Sequence, residues 1–493
     1  MSSQFLGDLN DFISPSQACI KPVPSKEETL TVSIDMSDGS VSSDPVTISL
    51  NDCLACSGCI TSAESVLVSQ QTYLQLYSVL ESNAEAFKAG VSKPKVVIVS
   101  VSPQSRVALA ARFGMSLQGT TERLTSFLKW TGVDFVFDTN FGRDISLHEC
   151  SLEFVEYYQR SRGNRDDNTL PLICGACPGW ICYVEKTQPQ LVEHLSRVKS
   201  PQQIMGTLSK YFFPSKMMVD KSISSSHIFH VTVMPCYDKK LEASRSDFFD
   251  ETFQTRDVDC VISTSELLKM IEEKIGVEGF KKNDISRIQI EQPTLSMIDQ
   301  ISASLWSHGG SGSGGYLENV LRFAGKALFG AEMHFDEFGN LFMDPATSHF
   351  TLSIETQRNS DYQDFSVIER STGQVLLRFA KVYGFRNVQN LVRKIKSRKV
   401  HYDYVEVMAC PGACLNGGGQ LRPDPASGIS PKQNLDKMQD LYSREQRIIE
   451  PLADPGIEAV YREWLGGFGS PLLRTNFRAV EQTLPTSNFS VQW

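Results

Sequence analysis

Hydrophobic positions along the chain follow two periods. Over Ser62–Ala89 apolar residues recur at helical spacing, through Val66, Leu74, Leu76, Tyr77 and Leu80, and the run ends near Gly90. Lys95–Val101 (KVVIVSV) is instead a near-continuous β-branched run, the pattern of a strand buried on both faces of a parallel sheet. Ser102-Pro103 then starts a helix, because proline is tolerated in the first turn, and the helix carries Val107–Phe113. A second helix is expected over Leu124–Trp130 and a second strand over Asp134–Asp138. This β-α-α-β order opens a parallel α/β region near residue 91.

Further along, Thr139–Asp144 is expected to be a loop before a helix from Ile145 to Arg160, and Ser161–Asn168 a polar excursion. Ile228–Met234 (IFHVTVM) and Asp259–Ser263 read as buried strands, with a helix over Glu266–Lys274. The glycine run His308–Gly315 opens a helix at Tyr316. Such a run can cradle a phosphate, but the chain has no G-x4-G-K-[ST], which argues against a P-loop. Ser366–Leu376 suggests a hairpin, followed by a strand over Leu377–Val382 and a helix over Asn387–Lys396. After Gln420, Pro423, Pro425 and Pro431 mark a linker, and helices are expected over Asp436–Ile449 and Ile457–Leu465. Residues 1–50 are polar and broken by Pro15, Pro22, Pro24 and Pro45, so an extended segment is expected there, and Thr483–Trp493 reads as a mobile tail.

At 493 residues the chain exceeds one ordinary domain, and an apolar fraction of 41% supports a full core. A net charge of −9 excludes general nucleic-acid binding, and the one basic run, Arg393–Lys399, reads as a solvated helix face. The start, MSSQFLGDLNDF, has neither a basic region nor a long apolar core, and no apolar run reaches the ~20 residues needed to span a bilayer. The expectation is a soluble protein of the cytosol, where thiols stay reduced. Its twelve cysteines then point to metal rather than disulfides.

Two sets stand out. Cys410 and Cys414 follow a strand-like run, Tyr404–Met408, and precede the triple glycine Gly417–Gly419, which would let backbone approach whatever the thiolates hold. Two thiolates need partners, and two further Cys-Pro or Pro-Cys turns supply them: Cys177-Pro178-Gly179-Trp180 and Met234-Pro235-Cys236-Tyr237. Four thiolates from three distant loops would make a buried iron–sulfur site. The second set is Cys53, Cys56 and Cys59, a C-x2-C-x2-C run whose spacing suits three corners of a cubane. A ferredoxin would place its next cysteine where Ala63 stands, so Cys19, the other cysteine of this region, is the candidate fourth ligand. Zinc at this run is the alternative, since C-x2-C also suits zinc. Cys174 and Cys182 read as small core residues.

Ser102-Pro103-Gln104 with Arg106-Val107, VFDTNFGRD (136–144), CPGW (177–180), SPQQIMGTLSK (200–210), MPCYDKK (234–240) and MACPGACLNGGGQ (408–420) occur in this order. Over roughly residues 90–480 the chain resembles the iron-only ([FeFe]) hydrogenases. The resemblance implies an α/β fold in which two parallel-sheet lobes clasp a cluster bound by Cys177, Cys236, Cys410 and Cys414. The expected organisation is an irregular, ferredoxin-like N-terminal cluster segment (1–90), a first lobe (91–230), a second lobe (231–420), and a helical small-subunit-like region with a C-terminal tail (421–493). Lys239, Met234 and Met408, which line the active cofactor in hydrogenases, are retained. The relay cysteine before CPGW is replaced by Ala176, and the relay glutamate after the NFG loop by Cys150. Proton delivery needs a titratable group at each step, so the resemblance implies a hydrogenase-like protein without the enzyme's activity.

The pattern is similar to the cytosolic iron-only-hydrogenase-like, or nuclear prelamin A recognition factor-like, branch. That branch implies two [4Fe–4S] clusters, one on Cys19, Cys53, Cys56 and Cys59 and one on the hydrogenase-type four. It implies a role in cytosolic iron–sulfur protein assembly, between an upstream P-loop scaffold and a targeting complex with a β-propeller subunit and adaptors. Apo iron–sulfur clients of cytosol and nucleus would be served, with no direct nucleic-acid or membrane partner. Trp493 resembles the aromatic tail presented to the targeting complex, although Gln492 departs from the acidic or small polar residue usual before it. The alternatives are an active iron-only hydrogenase and a zinc-stabilised interaction protein.

Overall fold

The computed structural model describes residues 62–91, 94–162, 171–214, 224–282, 306–424, 427–444 and 447–480. Among them, a four-stranded sheet has the order β2-β1-β4-β5, with β1 Val96–Val101, β2 Phe135–Asp138, β4 Ile228–Met234 and β5 Cys260–Ser263 all parallel. A five-stranded sheet has the order β6-β7-β8-β9-β3, with β3 Leu172–Ile173, β6 Phe350–Thr356, β7 Tyr362–Glu369, β8 Val375–Tyr383 and β9 Tyr404–Met408. Its β6–β8 half is an antiparallel meander, and β8, β9 and β3 run parallel. The two-sheet α/β architecture is therefore present, and the second sheet is mixed. The sheets exchange chain across the division expected at residue 230: β4 straddles it, β5 returns to the first sheet, and β3 joins the second from upstream.

Several elements differ from their sequence pattern, each for a local reason. The helix expected over Ser62–Ala89 is two, α1 Ser62–Gln70 and α2 Tyr73–Lys88. The break falls where buried Gln71 is used as a clamp. Its Nε2 donates to the Lys240 carbonyl at 2.8 Å, and its own carbonyl accepts from Lys240 Nζ at 2.6 Å. Helices α3 Pro103–Phe113 and α4 Leu117–Thr131 follow, each capped by a serine at its start. The loop expected at Thr139–Asp144 is the first turn of α5, Asn140–Arg162. Asp138 Oδ1 accepts the Asn140 N–H at 2.8 Å, so the helix starts as the strand ends. Gly142 inside it is needed for close packing, because a Cβ there would lie 2.7 Å from the Pro201 carbonyl oxygen. The C-terminal helix begins at Pro431, not Asp436: Ser430 and Gln433 exchange capping hydrogen bonds, and the helix ends at Arg444. Leu377–Val382 is the second arm of the hairpin itself.

Strand β9 carries a wholly buried glutamate, Glu406. It accepts the Leu317 N–H at 2.7 Å in the first turn of the helix Tyr316–Phe329, and the Tyr383 hydroxyl at 3.1 Å. The seat at the end of the glycine run, where a phosphate could have bound, is thus filled by the chain's own carboxylate. Glu318, paired with Lys381 at 3.4 Å, lies alongside. Burial first, and then Glu318, push the Glu406 carboxyl up to about 7 from an ordinary 4.5. The folded chain therefore keeps this proton where the unfolded chain releases it. The resulting stability is full below pH 4.5 and is lost as pH rises towards 7. Glu406→Gln removes the titration and keeps an acceptor, so it is expected to flatten the decline in stability across that window. Urea denaturation at stepped pH checks this, and an unchanged slope would assign the decline to another group.

Candidate functional site

The parallel strands deliver three loops to one place, at their C-terminal ends. Residues beyond β3 lead to Cys177, which starts the helix Pro178–Thr187 with proline in its first position. Strand β4 ends at Met234, and Cys236 follows before the helix Asp238–Ser244. Strand β9 ends at Met408, and Cys410 and Cys414 flank a tight turn in which Ala413 takes φ 59°. The glycines after Cys414 work differently from the sequence expectation. A Cβ on Gly417 would lie 2.3 Å from the Pro235 carbonyl oxygen, and the Gly419 N–H donates to that oxygen at 2.9 Å. They lock the Cys414 loop backbone-to-backbone onto the Cys236 turn.

The four sulfurs are thereby gathered in one recess, each partly free on its surface and surrounded by protein. Every pairing among Cys177, Cys236, Cys410 and Cys414 falls within electrostatic reach. Burial is the main reason that all four thiols are pushed above their ordinary value, Cys414 to about 12; the charge of Asp238 adds to it at Cys177, Cys236 and Cys410, and neighbouring thiols add to it at Cys236, Cys410 and Cys414. Positive groups oppose this. The Ala409 N–H points at the Cys177 sulfur at 3.4 Å, and the Gly418 N–H favours the Cys410 thiolate. Lys239 acts on Cys177 and Cys414, and Arg143 on Cys414. Lys239 Nζ is held by Glu242 at 2.9 Å and by the Ala176 carbonyl at 3.2 Å. Burial works against its charge, but Glu242 and the nearby thiols leave its pKa raised. Asp238, buried beside three of the sulfurs with one oxygen unpartnered, is pushed up to about 7 by desolvation.

This donor set fits an iron–sulfur cluster, whose thiolate-ligated unit is net negative: soft sulfur ligands, N–H groups aimed at sulfur, and fixed positive charge around them. No group of three or more His, Cys, Asp or Glu among the described residues is arranged to hold a single metal ion. Met234 and Met408 are buried at the ends of β4 and β9.

The remaining cysteines separate from this set. Cys150 is buried on α5, 3.7 Å from Ser196 Oγ, and desolvation followed by the charge of Glu153 pushes its thiol far up. Cys174 and Cys260 are fully buried. Cys182 lines a cavity of about 220 Å³ between the helix Pro178–Thr187 and the segment Thr475–Val480. Cys19, Cys53, Cys56, Cys59 and Trp493 lie outside the described residues. Arg143 and Asp238 are the site residues that sequence reasoning passed over. Asp238 stands two positions from Cys236 and Arg143 lies inside a quoted motif, but only the fold turns either towards sulfur.

Residues 95–418 match the family described as iron only hydrogenase large subunit, C-terminal domain. The chain is 43% identical to a mouse protein named cytosolic iron-sulfur assembly component 3, over the whole of both chains. It is 41% identical to a Xenopus tropicalis protein named cytosolic Fe-S cluster assembly factor narfl, again over the whole of both. Among solved structures it is similar to an apo [FeFe]-hydrogenase from Chlamydomonas reinhardtii, with a TM-score of 0.61 and 26% identity, covering 83% of this chain and 99% of that one. A [FeFe]-hydrogenase structure describing stepwise H-cluster assembly aligns with the same score and coverage. By sequence relatives and family match, the chain belongs to the iron-only hydrogenase family, within the group of the cytosolic iron–sulfur assembly component 3 and narfl proteins.

Proposed function

We propose that the protein is a non-enzymatic factor of cytosolic iron–sulfur protein assembly that carries two [4Fe–4S] clusters. The observation that carries this reading is the recess of four mutually interacting thiols on three loops. Cys177, Cys236, Cys410 and Cys414 would hold one cluster, and Cys19, Cys53, Cys56 and Cys59 the other. Each cluster supplies one-electron chemistry when bound. The chain's own groups bind, shield and bias it. Relatives named for cytosolic iron–sulfur assembly support the pathway assignment. The replacement of relay groups by Ala176 and by the deeply buried Cys150 supports the loss of hydrogen chemistry.

In this reading residues 1–90 are the N-terminal cluster segment, 91–230 and 231–420 the two lobes, and 421–493 the helical region and tail. The C-x2-C-x2-C run is followed at once by α1, which packs against the helix Asp238–Ser244, itself begun two residues after Cys236. A run with a distant fourth ligand would hold its cluster loosely, whereas the four recess cysteines follow strands of two sheets. Transfer from the P-loop scaffold to the targeting complex and its apo clients would then use the first cluster. Trp493 would engage the β-propeller-bearing complex, in cytoplasm and nucleus.

Protein purified anaerobically is expected to contain about eight iron and eight acid-labile sulfide per chain, with two [4Fe–4S]⁺ signals by EPR after dithionite reduction. Cys53→Ala and Cys414→Ala should each remove one signal. Zinc without sulfide would establish the interaction-protein alternative, and excess iron with cyanide or carbonyl infrared bands would establish a hydrogenase. Cys59→Ala is expected to abolish cluster delivery to an apo-client, and unchanged delivery would sink the assignment of transfer to the N-terminal cluster. Gly417→Ala drives a Cβ into the Pro235 carbonyl, so it should lose the Cys414-dependent signal and about half the iron while the other signal persists.

A further inference from the structure

Strand β6, Phe350–Thr356 (FTLSIET), is the outer strand of the mixed sheet, and among the described residues only β7 pairs with it. Two hydrogen bonds that bracket the strand fix which of its main-chain groups are used. The His349 carbonyl accepts the Arg370 N–H at 3.0 Å, and the Gln357 N–H donates to the Tyr362 carbonyl at 2.9 Å. Hydrogen-bonded residues alternate in an antiparallel ladder, so Thr351, Ser353 and Glu355 bond inward to β7. Leu352, Ile354 and Thr356 therefore turn their N–H and C=O groups away from the sheet. Proline, lysine or a bulge commonly blunts such an edge. β6 has none of them, and its register with β7 runs unbroken from Phe350–Glu369 to Thr356–Gln363. Ile354 is 45% exposed, next on its face to partly buried Leu352.

The charges on the other face are separated in a way that the single chain does not use. Glu355 is exposed and stands opposite Asp364 in the register, a like charge, and no cation pairs with it among the described residues. Thr351 lies on the same face towards the other end of the strand. There Arg370 Nε donates to Thr351 Oγ1 at 2.9 Å and Nη1 to the Pro345 carbonyl at 2.8 Å, both neutral acceptors.

The strand is complementary to itself. A second copy laid antiparallel about a twofold axis at Ser353 overlaps the whole of Phe350–Thr356, and outward-facing residues meet outward-facing residues. Leu352 then lies against Ile354 of the copy, and Thr351 against its Glu355. Opposed side chains start ~5 Å apart, which brings that carboxylate within reach of the guanidinium held at Thr351. The twofold axis makes the contact twice. We propose that β6 is a self-association edge through which two copies of this chain join their mixed sheets, with a Glu355–Arg370 ion pair on each side of the axis. The pairing requires neither cluster. One strand pair is a small contact, so the dimer is reversible and concentration-dependent.

The test is sedimentation velocity of full-length protein, kept anaerobic with reductant, from dilute to concentrated samples. The mass should rise from one chain to two, and added salt should weaken the association. Ile354→Pro removes an outward N–H and spares the bonds to β7, so it should stay monomeric. Glu355→Arg relieves the clash with Asp364 within the chain but faces Arg370 of the copy, and should weaken association about tenfold. Adding Arg370→Glu to Glu355→Arg should restore it, a rescue that a general folding defect would not give. Circular dichroism checks each variant, and the Glu355→Arg pair carries the test if Ile354→Pro does not fold. A wild-type protein that stays monomeric throughout would overturn the proposal, whatever else covers the edge. A dimer unchanged in Ile354→Pro, or in Glu355→Arg where that variant stands in, would place the contact elsewhere and overturn it equally. A double variant as weak as Glu355→Arg alone would overturn the ion pairing and with it this register.

Discussion

Four cysteine sulfurs in one recess each raise the cost of ionising the others, because desolvation and like charge act in the same direction. Left alone, such a set stays protonated and neutral. To act as ligands, all four must lose their protons, and the charge so created must be met by what they bind and by the groups behind them. The surrounding structure can be read from that requirement. Backbone N–H groups favour the thiolates of Cys177 and Cys410, the charge of Lys239 favours ionisation of Cys177 and Cys414, and that of Arg143 favours ionisation of Cys414.

Bringing the sulfurs together is a problem of backbone approach, and the chain solves it with parallel strands and glycine. Strands that run parallel put their C-terminal loops side by side, so Cys236 after β4 and Cys410 after β9 need no long excursions. The last ångströms come from contact between main chains, Gly417 and Gly419 against Pro235, where any side chain would hold the loops apart. The exchange of β3 and β5 between sheets adds a topological tie, since neither sheet is complete without chain from the other half.

Local chemistry explains what could be read in advance. Ile228–Met234 matched its strand to the residue because a short run rich in β-branched and apolar residues and ended by Pro235 suits a buried strand, and the helix at Tyr316 was marked by the glycines before it. The four recess cysteines were legible through their Cys-Pro and Pro-Cys turns. What failed depended on distant partners. Gln71 breaks a helix because Lys240, far along the chain, takes both its backbone and side chain. Gly142 looked like a loop residue because its packing partner, Pro201, is invisible in a local window. A two-residue strand such as β3 leaves no periodicity to detect, so the crossing of sheets was hidden. Arg143 and Asp238 were hidden similarly: residue type gives charge, but only tertiary structure gives the direction in which it faces.

The same electrostatics bears on which of the two proposed clusters is suited to leave the protein. In the proposed two-cluster reading, emptying the recess would break bonds to four thiolates carried by three separate loops. Those bonds would have to be released together, from loops locked to one another at Gly417 and Pro235. The C-x2-C-x2-C run immediately precedes α1 in the sequence, and the Gln71–Lys240 clamp follows that helix. A carrier that must release one cluster without unfolding gains from confining the charge network to the other. In the proposed two-cluster reading, the quartet of the described fold is then the fixed part, and the N-terminal quartet the one that loads and unloads.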